Sequence, residues 1–422
     1  MNGSRALLLA VVVCVAPFAA IPIADGDQTR EVSDRLPSVA DEDADATPET
    51  GPAETPSTTP VVPESGTTEY LALPPAEREV VVFGRGSLDV GTAVGGNTGQ
   101  ARAVYIRDRL DRDLTAAATE SERRSALNRA IDRTDERLSA LEATHREAME
   151  ALVDGEITAD RYVRRSAAID REARQLQAVI DRMADLEEIV DSETVARLDT
   201  RTNVLHGPVR DRAVEAVDGN ADPVRVYVET ADEAIVLATV EGGVDPTYLR
   251  EAHQPANRQP SAEDQFGGDD RLVLDRLGEL YPWTLENSEG IAIEGTISRA
   301  AGVYQTAVTH DHGELTAHFD GGTTDVFWEV QQKSLRAVPT TTQTTQTGQL
   351  ELRVNTTRSG GPVSVEVLDT TGEGVPASIS IDDEPVGTTD GERPLWTVAP
   401  RGELTVTAVH DGEEITLTTT LE

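Results

Sequence analysis

Three of the chain's seven histidines, His310, His312 and His318, fall within nine residues, among Asp311, Glu314, Asp320 and Asp325. Imidazoles and carboxylates are the donors of a zinc site, which needs several bonds near 2 Å to one ion. The spacing argues against one. On a hairpin turning at His312-Gly313, Leu315, Ala317 and Phe319 alternate with Thr316, His318 and Asp320, so one face is apolar. A two-residue loop pairs Val308 with Ala317 and His310 with Leu315, which sets His310 on the face opposite His318. A three-residue loop puts His310, Glu314 and His318 on one face. His318 then lies four residues beyond Glu314, about 13 Å along the strand. Neither register gathers a coordination sphere. No metal-binding, catalytic or cofactor-binding residue is assigned, and no cofactor is expected.

Other chemistry is sparse. His145 sits at a helical seam position, where a single histidine is ordinarily a partly buried specificity residue. Gly84-Arg85-Gly86 follows an apolar run but lacks the Gly-Lys-Ser/Thr ending of a phosphate loop, and reads as a strand with a turn. H-E-x-x-H, G-x-S-x-G and EF-hand patterns are missing from the sequence. The single cysteine, Cys14, allows no intrachain disulfide, and Val13 before it departs from a lipobox. Acid pairs are too numerous to single one out. The long loop between Glu251 and Asp270 reads as an insertion, and is the place where a pocket of an unfamiliar hydrolase would lie.

Residues 1–24 hold Arg5 and then 19 uncharged residues, Ala6 to Ala24, broken by Pro17 and Pro22. This reads as a secretion signal, or as an uncleaved anchor of just sufficient length. Residues 25–68, acidic and Pro/Thr-rich, read as a disordered stalk. Residues 69–100 read as a short β or irregular segment. Residues 101–198 read as a long antiparallel helical hairpin. Its first seam runs Leu127, Ile131, Thr134, Leu138, Leu141, His145, Ala148, Leu152. Its second runs Tyr162, Ser166, Ile169, Ala173, Leu176, Ile180, Met183, Glu187, Val190. Both have the 4-3 spacing of a coiled coil. Gly155 suits the end of the first helix and Thr158 the start of the second.

Residues 199–336 read as a central α+β domain with antiparallel meanders. Val236–Ala252 echoes Leu315–Gln331, each a strand, an acid-Gly-Gly turn, an aromatic and then a Glu near the end, which suggests a duplicated helix-meander unit. Residues 337–348 read as a Thr/Gln linker. Residues 349–422 read as a seven-strand β-sandwich, and Asn355-Thr356-Thr357 fits an N-glycosylation pattern. The fold class expected is therefore multidomain α+β.

The chain carries 76 acidic and 37 basic residues, a formal charge of -39. Lys333 is the only lysine. Such a chain self-repels in dilute buffer and is screened in molar salt, where the Debye length is about 3 Å. The composition resembles that of proteins from extreme halophiles. It makes nucleic acid a poor partner and limits membrane contact to an N-terminal anchor.

"LALPP" (71–75), "SLDVGTAV" (87–94), "HGPVRDRAVEAV" (206–217) and "LDRLGELYPWT" (274–284) resemble a haloarchaeal extracellular family of unknown function. The segment from Val375 to Glu414 is similar to carboxypeptidase-regulatory-like sandwich repeats, and the middle is distantly similar to small peptidase-propeptide modules. The resemblance carries no catalytic pattern. The expected function is a secreted or cell-surface, non-enzymatic structural or protein-interaction protein with a protein partner at the envelope. Regulation of an extracellular hydrolase through the central domain, and a hydrolase with an unrecognised site, are the alternatives.

Overall fold

Strands β3 (Glu79–Gly86), β4 (Val224–Ala231), β5 (Ala234–Glu241) and β6 (Thr247–His253) form one half of an eight-stranded antiparallel sheet; β7 (Ser288–Glu294), β8 (Val303–His310), β9 (Gly313–Asp320) and β10 (Val326–Ser334) form the other. The order is β3-β4-β5-β6-β10-β9-β8-β7, so each half mirrors the other about the β6–β10 pair. The computed structural model describes residues 61–186, 191–294 and 298–421, all within one compact unit beginning at Pro56. The leader or anchor, Cys14, the stalk up to residue 60, and Glu187 and Val190 of the second seam lie outside the described residues.

The sequence echo extends to the hydrogen-bond register. Val236 pairs with Ala252, and 79 positions later in both strands Leu315 pairs with Gln331. Tyr227 pairs with Ala238, and 79 positions later Thr306 pairs with Ala317. Register is set by which residues must face the core, so two meanders with one register are two copies of one unit. Their helices differ, however. The helix before the first meander packs on one sheet face and those before the second on the other.

The turn of the histidine hairpin is Asp311-His312, with His310 opposite Gly313 and Val308 opposite Leu315. Both two-residue and three-residue registers considered from the sequence are therefore displaced. The shifted two-residue turn keeps Tyr304, Val308, Leu315 and Phe319 on one buried face.

Helices α1 (Val90–Ala116), α2 (Glu120–Val153), α3 (Ala159–Ala184), α4 (Ser192–Asn203) and α5 (Pro208–Asp218) all lie in the chain between β3 and β4, which are neighbours in the sheet. The helices are thus an insertion between paired strands, not a separate module at 101–198, and α1 begins inside the segment expected to be irregular. Thr119 and Glu122 form a capping box at the start of α2. Gly155, at φ 71°, follows its last turn, and Thr158 accepts the Arg161 N–H at 3.3 Å to start α3. The seam residues Leu127, Leu138, Leu141, Ile169, Leu176, Ile180 and Met183 are buried, together with Ile106 and Leu110 of α1 and Val195 and Leu198 of α4. Nearer the α2–α3 turn, Met149, Leu152, Tyr162 and Val163 pack on Val226, Val228, Ile235 and Leu237 of the sheet. Gly84 makes this close approach feasible: a Cβ there would stand 2.6 Å from the Ala159 carbonyl oxygen. The glycine pair of β3 serves packing.

Order starts earlier than the stalk boundary at 68. β1 (Val61–Glu64) and β2 (Thr67–Leu71) form a hairpin against the sheet face that also carries α6 (Asp270–Leu280) and α7 (Pro282–Glu286).

The linker is likewise a strand. β11 (Thr341–Thr347) pairs along its length with β12 (Leu350–Thr356), because threonine favours the extended backbone even where both faces are polar. With β13 (Pro362–Leu368) and β16 (Leu395–Val398) it forms one four-stranded sheet. β14 (Pro376–Ile381), β15 (Glu384–Asp390), β17 (Glu403–His410) and β18 (Glu413–Thr420) form the other. Leu352, Val354, Val365, Ile379, Val406 and Leu417 fill the space between. Asn355 lies mid-strand. Its Nδ2, the atom a glycan would occupy, donates to Ser364 Oγ at 2.9 Å, and its Oδ1 accepts from Thr342 at 2.7 Å. The acceptor pattern here is a cross-strand tie.

Candidate functional site

Where strand geometry places the histidines decides what they can do. His310 is buried beside Trp283 of α7, with ring centroids 5.6 Å apart. Burial, with Lys333 adding to it, pushes its pKa down to about 4. His312 lies on the same indole at 4.8 Å, and its Nδ1 is 2.9 Å from Thr67 Oγ1 of β2. His318 faces the opposite side of the sheet, stacked on Trp328 at 4.1 Å, and burial pushes it to about 3. Of the four acids, Asp311 and Glu314 are exposed, while Asp320 and Asp325 are committed. Asp320 accepts the N–H groups of Gln259 (3.0 Å) and Thr323 (3.1 Å), and Asp325 pairs with Arg276 at 3.0 Å. The loop after Glu251 is therefore pinned to the Asp320-Gly321-Gly322 turn. No group of three or more metal-donor side chains converges among the described residues.

The strongest electrostatics lie at the centre of the sheet. Arg250 and Glu329 occupy equivalent positions of the two repeats, 79 positions apart, and pair at 2.6 Å with both side chains buried. Arg250 also donates to the Leu71 carbonyl at 2.6 Å. Glu329 accepts the Leu71 N–H at 2.8 Å and the Tyr281 hydroxyl at 2.7 Å. Gln331 donates to Glu329 at 2.9 Å and to the Glu69 carbonyl at 2.6 Å. One residue pair further along β10, Lys333 reaches Glu64 at 3.0 Å and the Thr68 carbonyl at 3.3 Å. Glu64 also takes Arg358 of the sandwich at 3.2 Å, whose guanidinium lies 3.7 Å over the Tyr70 ring. Burial raises the Glu64 pKa, but the two cations outweigh it and hold the carboxyl below its usual range. These bonds tie the β1–β2 hairpin and the sandwich to one sheet face. Tyr248 donates to the Gly360 carbonyl at 3.1 Å and Arg225 to that of Val398 at 3.0 Å, while Trp396 packs on the sheet's core.

A cavity of about 480 Å³ opens where the helical layer meets the far side of the sheet. α2 supplies His145, Arg146 and Met149; the end of α4 supplies Arg201; β6 and the loop after it supply His253 and Arg258; β10 supplies Phe327. Burial, then Arg210, pushes both imidazoles down, His253 to about 3 and His145 well below its usual value. Both are neutral near pH 7. His145 thus lines a cavity in addition to occupying a seam position. His253, Arg258 and Phe327 were not singled out from the sequence, because the cavity draws on separate segments with no shared spacing. Among the described residues no helix is long and apolar enough to cross a membrane.

Three family profiles match the chain. One, a domain of unknown function (DUF7096), spans residues 1–222. A second, a family of unknown function (DUF7094), spans 226–339, and an archaeal fibronectin-III type-like domain spans 341–417. No curated protein and no solved structure matches. The first two profiles meet between α5 and β4, inside the eight-stranded sheet, and the third starts at β11. The cavity is lined from both sides of the first junction.

Proposed function

The chain belongs to the domain-of-unknown-function family DUF7096, here joined to an archaeal fibronectin-III type-like sandwich, and from that premise we propose a non-enzymatic structural or protein-interaction role at a haloarchaeal cell envelope. In this reading residues 1–24 direct export or anchor the chain, and the acidic Pro/Thr-rich stretch carries the folded body away from the membrane. The observation that carries the proposal is the Glu64 clamp. Glu64 lies where the stalk enters the body, and it binds both Lys333 of the sheet and Arg358 of the sandwich. Tension arriving along the stalk passes directly into both, as a surface spacer or adhesive head requires. The seam of α2 is buried against α1 and α3, so its exposed polar face is the helical surface open to a partner. The -39 charge suits a surface bathed in molar salt.

The test is recovery of the chain from envelope fractions at molar salt with mild cross-linking and mass spectrometry. Co-recovery with specific envelope proteins is expected. Recovery alone, as a monomer, contradicts the proposal. One observation favours regulation of an extracellular hydrolase as a second reading: β7 ends the sheet, with Ile291 exposed, and can accept an added strand. Co-recovery of a hydrolase in the same experiment would select it.

A further inference from the structure

The cavity between α2 and the sheet has a role that a spacer does not explain. Its volume is within the range of small-molecule sites. Its walls divide by chemistry. Val153 and Val204, both partly exposed, form an apolar part over the buried Phe327 and Met149, while Arg146 and Arg258 stand beside the imidazoles of His145 and His253. Arg258 is incompletely used by the fold. Its Nε is buried without a hydrogen-bond acceptor, and its nearest carboxylate, Asp320, is 3.8 Å away and already holds two backbone N–H groups. Arg146 has no ion pair among the described residues. The carboxylates nearby are placed differently. Glu142 is bound to Arg201 at 2.7 Å, and Glu150, Asp232 and Glu233 are exposed at the rim. The lining holds four arginines against four carboxylates; Arg78 pairs with Asp154 and Arg201 with Glu142, which leaves half-buried Arg258 and exposed Arg146 as the cations without a hydrogen-bonded carboxylate among the described residues. The charged neighbours that act on His145 and His253 are arginines and the other histidine, and all push the imidazoles toward the neutral form. A neutral imidazole keeps one N–H donor for an anion.

We propose that this cavity binds a small organic carboxylate with an apolar body, its carboxylate on Arg258 and Arg146 and its body against Val153 and Val204. A guanidinium fork matches a carboxylate in two parallel hydrogen bonds, which a neutral headgroup cannot reproduce. The apolar wall distinguishes this ligand from inorganic phosphate, which would leave Val153 and Val204 uncovered.

The experiment is calorimetric titration of the full chain at molar salt with 3-phenylpropionate, with 3-phenylpropanol and inorganic phosphate as comparison probes. The expected result is saturable binding of the carboxylate, with the alcohol and phosphate each weaker by about tenfold or more. Arg258→Gln is expected to weaken the carboxylate by about tenfold, and Arg271→Gln, on exposed α6, to leave it unchanged. If Arg258→Gln does not fold, Arg146→Gln on the exposed side of α2 carries the same expectation. Equal binding of the alcohol, equal binding of phosphate, or no saturation by the carboxylate overturns the proposal.

Discussion

Lys333 shows how much one residue can hide. In sequence it is the only lysine of an arginine-rich set, in a strand that ends in polar residues. In the structure it is buried and binds Glu64. Its rarity was the available signal, but a buried ion pair depends on a partner 269 positions away that no local pattern names. The histidines were more legible. Strand geometry alone separated His310 from His318, although the register was off by two residues. His206 and His310, at about 4, and His253 and His318, at about 3, all lie below the usual imidazole value of 6.5. A pKa lowered by folding gives stability that is complete above 6.5. Below that pH the unfolded chain takes up protons that the folded chain refuses, so the stability is lost as pH falls toward 3. Denaturant midpoints at constant salt should therefore be flat from pH 8 to about 7 and fall steadily from about 6.5 to 4. The loss should be on the order of 1 kcal/mol per pH unit for each fully buried histidine. A midpoint that stays level down to pH 4 would remove burial as the cause.

At the scale of elements, periodicity was a good guide and segmentation a poor one. The two helical seams, the Gly155 stop and the strands of the sandwich follow from spacing because each buries one face of its own element. β1 and β11 were hidden because their composition matches that of unfolded linkers; neighbouring strands supply the order that composition cannot. The insertion of the helices between β3 and β4 was illegible, since nothing in β3 states which strand it will join. Gly84 holds the clue in retrospect, because it marks where α3 crosses β3 without room for a side chain. Gly84→Ala should cost about 1–3 kcal/mol, from a Cβ 2.6 Å from a backbone oxygen. Gly242→Ala, in the turn between β5 and β6 and with nothing near its Cβ, should be neutral within about 0.5 kcal/mol. Equal effects in chemical denaturation would mean that the helix does not press on the strand as described.

At the scale of the molecule, two family profiles meet inside a single sheet. β3 lies in the segment matched by the first and β4 in that matched by the second, and they pair over eight residues. The sandwich joins the same unit through Glu64, Arg225, Tyr248 and Trp396. The β1–β2 hairpin, the sheet and the sandwich form one mechanical body. The three tryptophans are placed to test it, with Trp283 and Trp328 in the sheet unit and Trp396 in the sandwich. The direct measurement is denaturant unfolding at molar salt of two variants, one retaining only Trp328 and one only Trp396, each followed by its own fluorescence. The account predicts coincident transitions. It further predicts that Glu64→Ala, which strands Lys333 and Arg358 without their buried partner at a cost of about 3–5 kcal/mol, pulls the two transitions apart. Well-separated midpoints in the parent variants, or no change on removing Glu64, would contradict it.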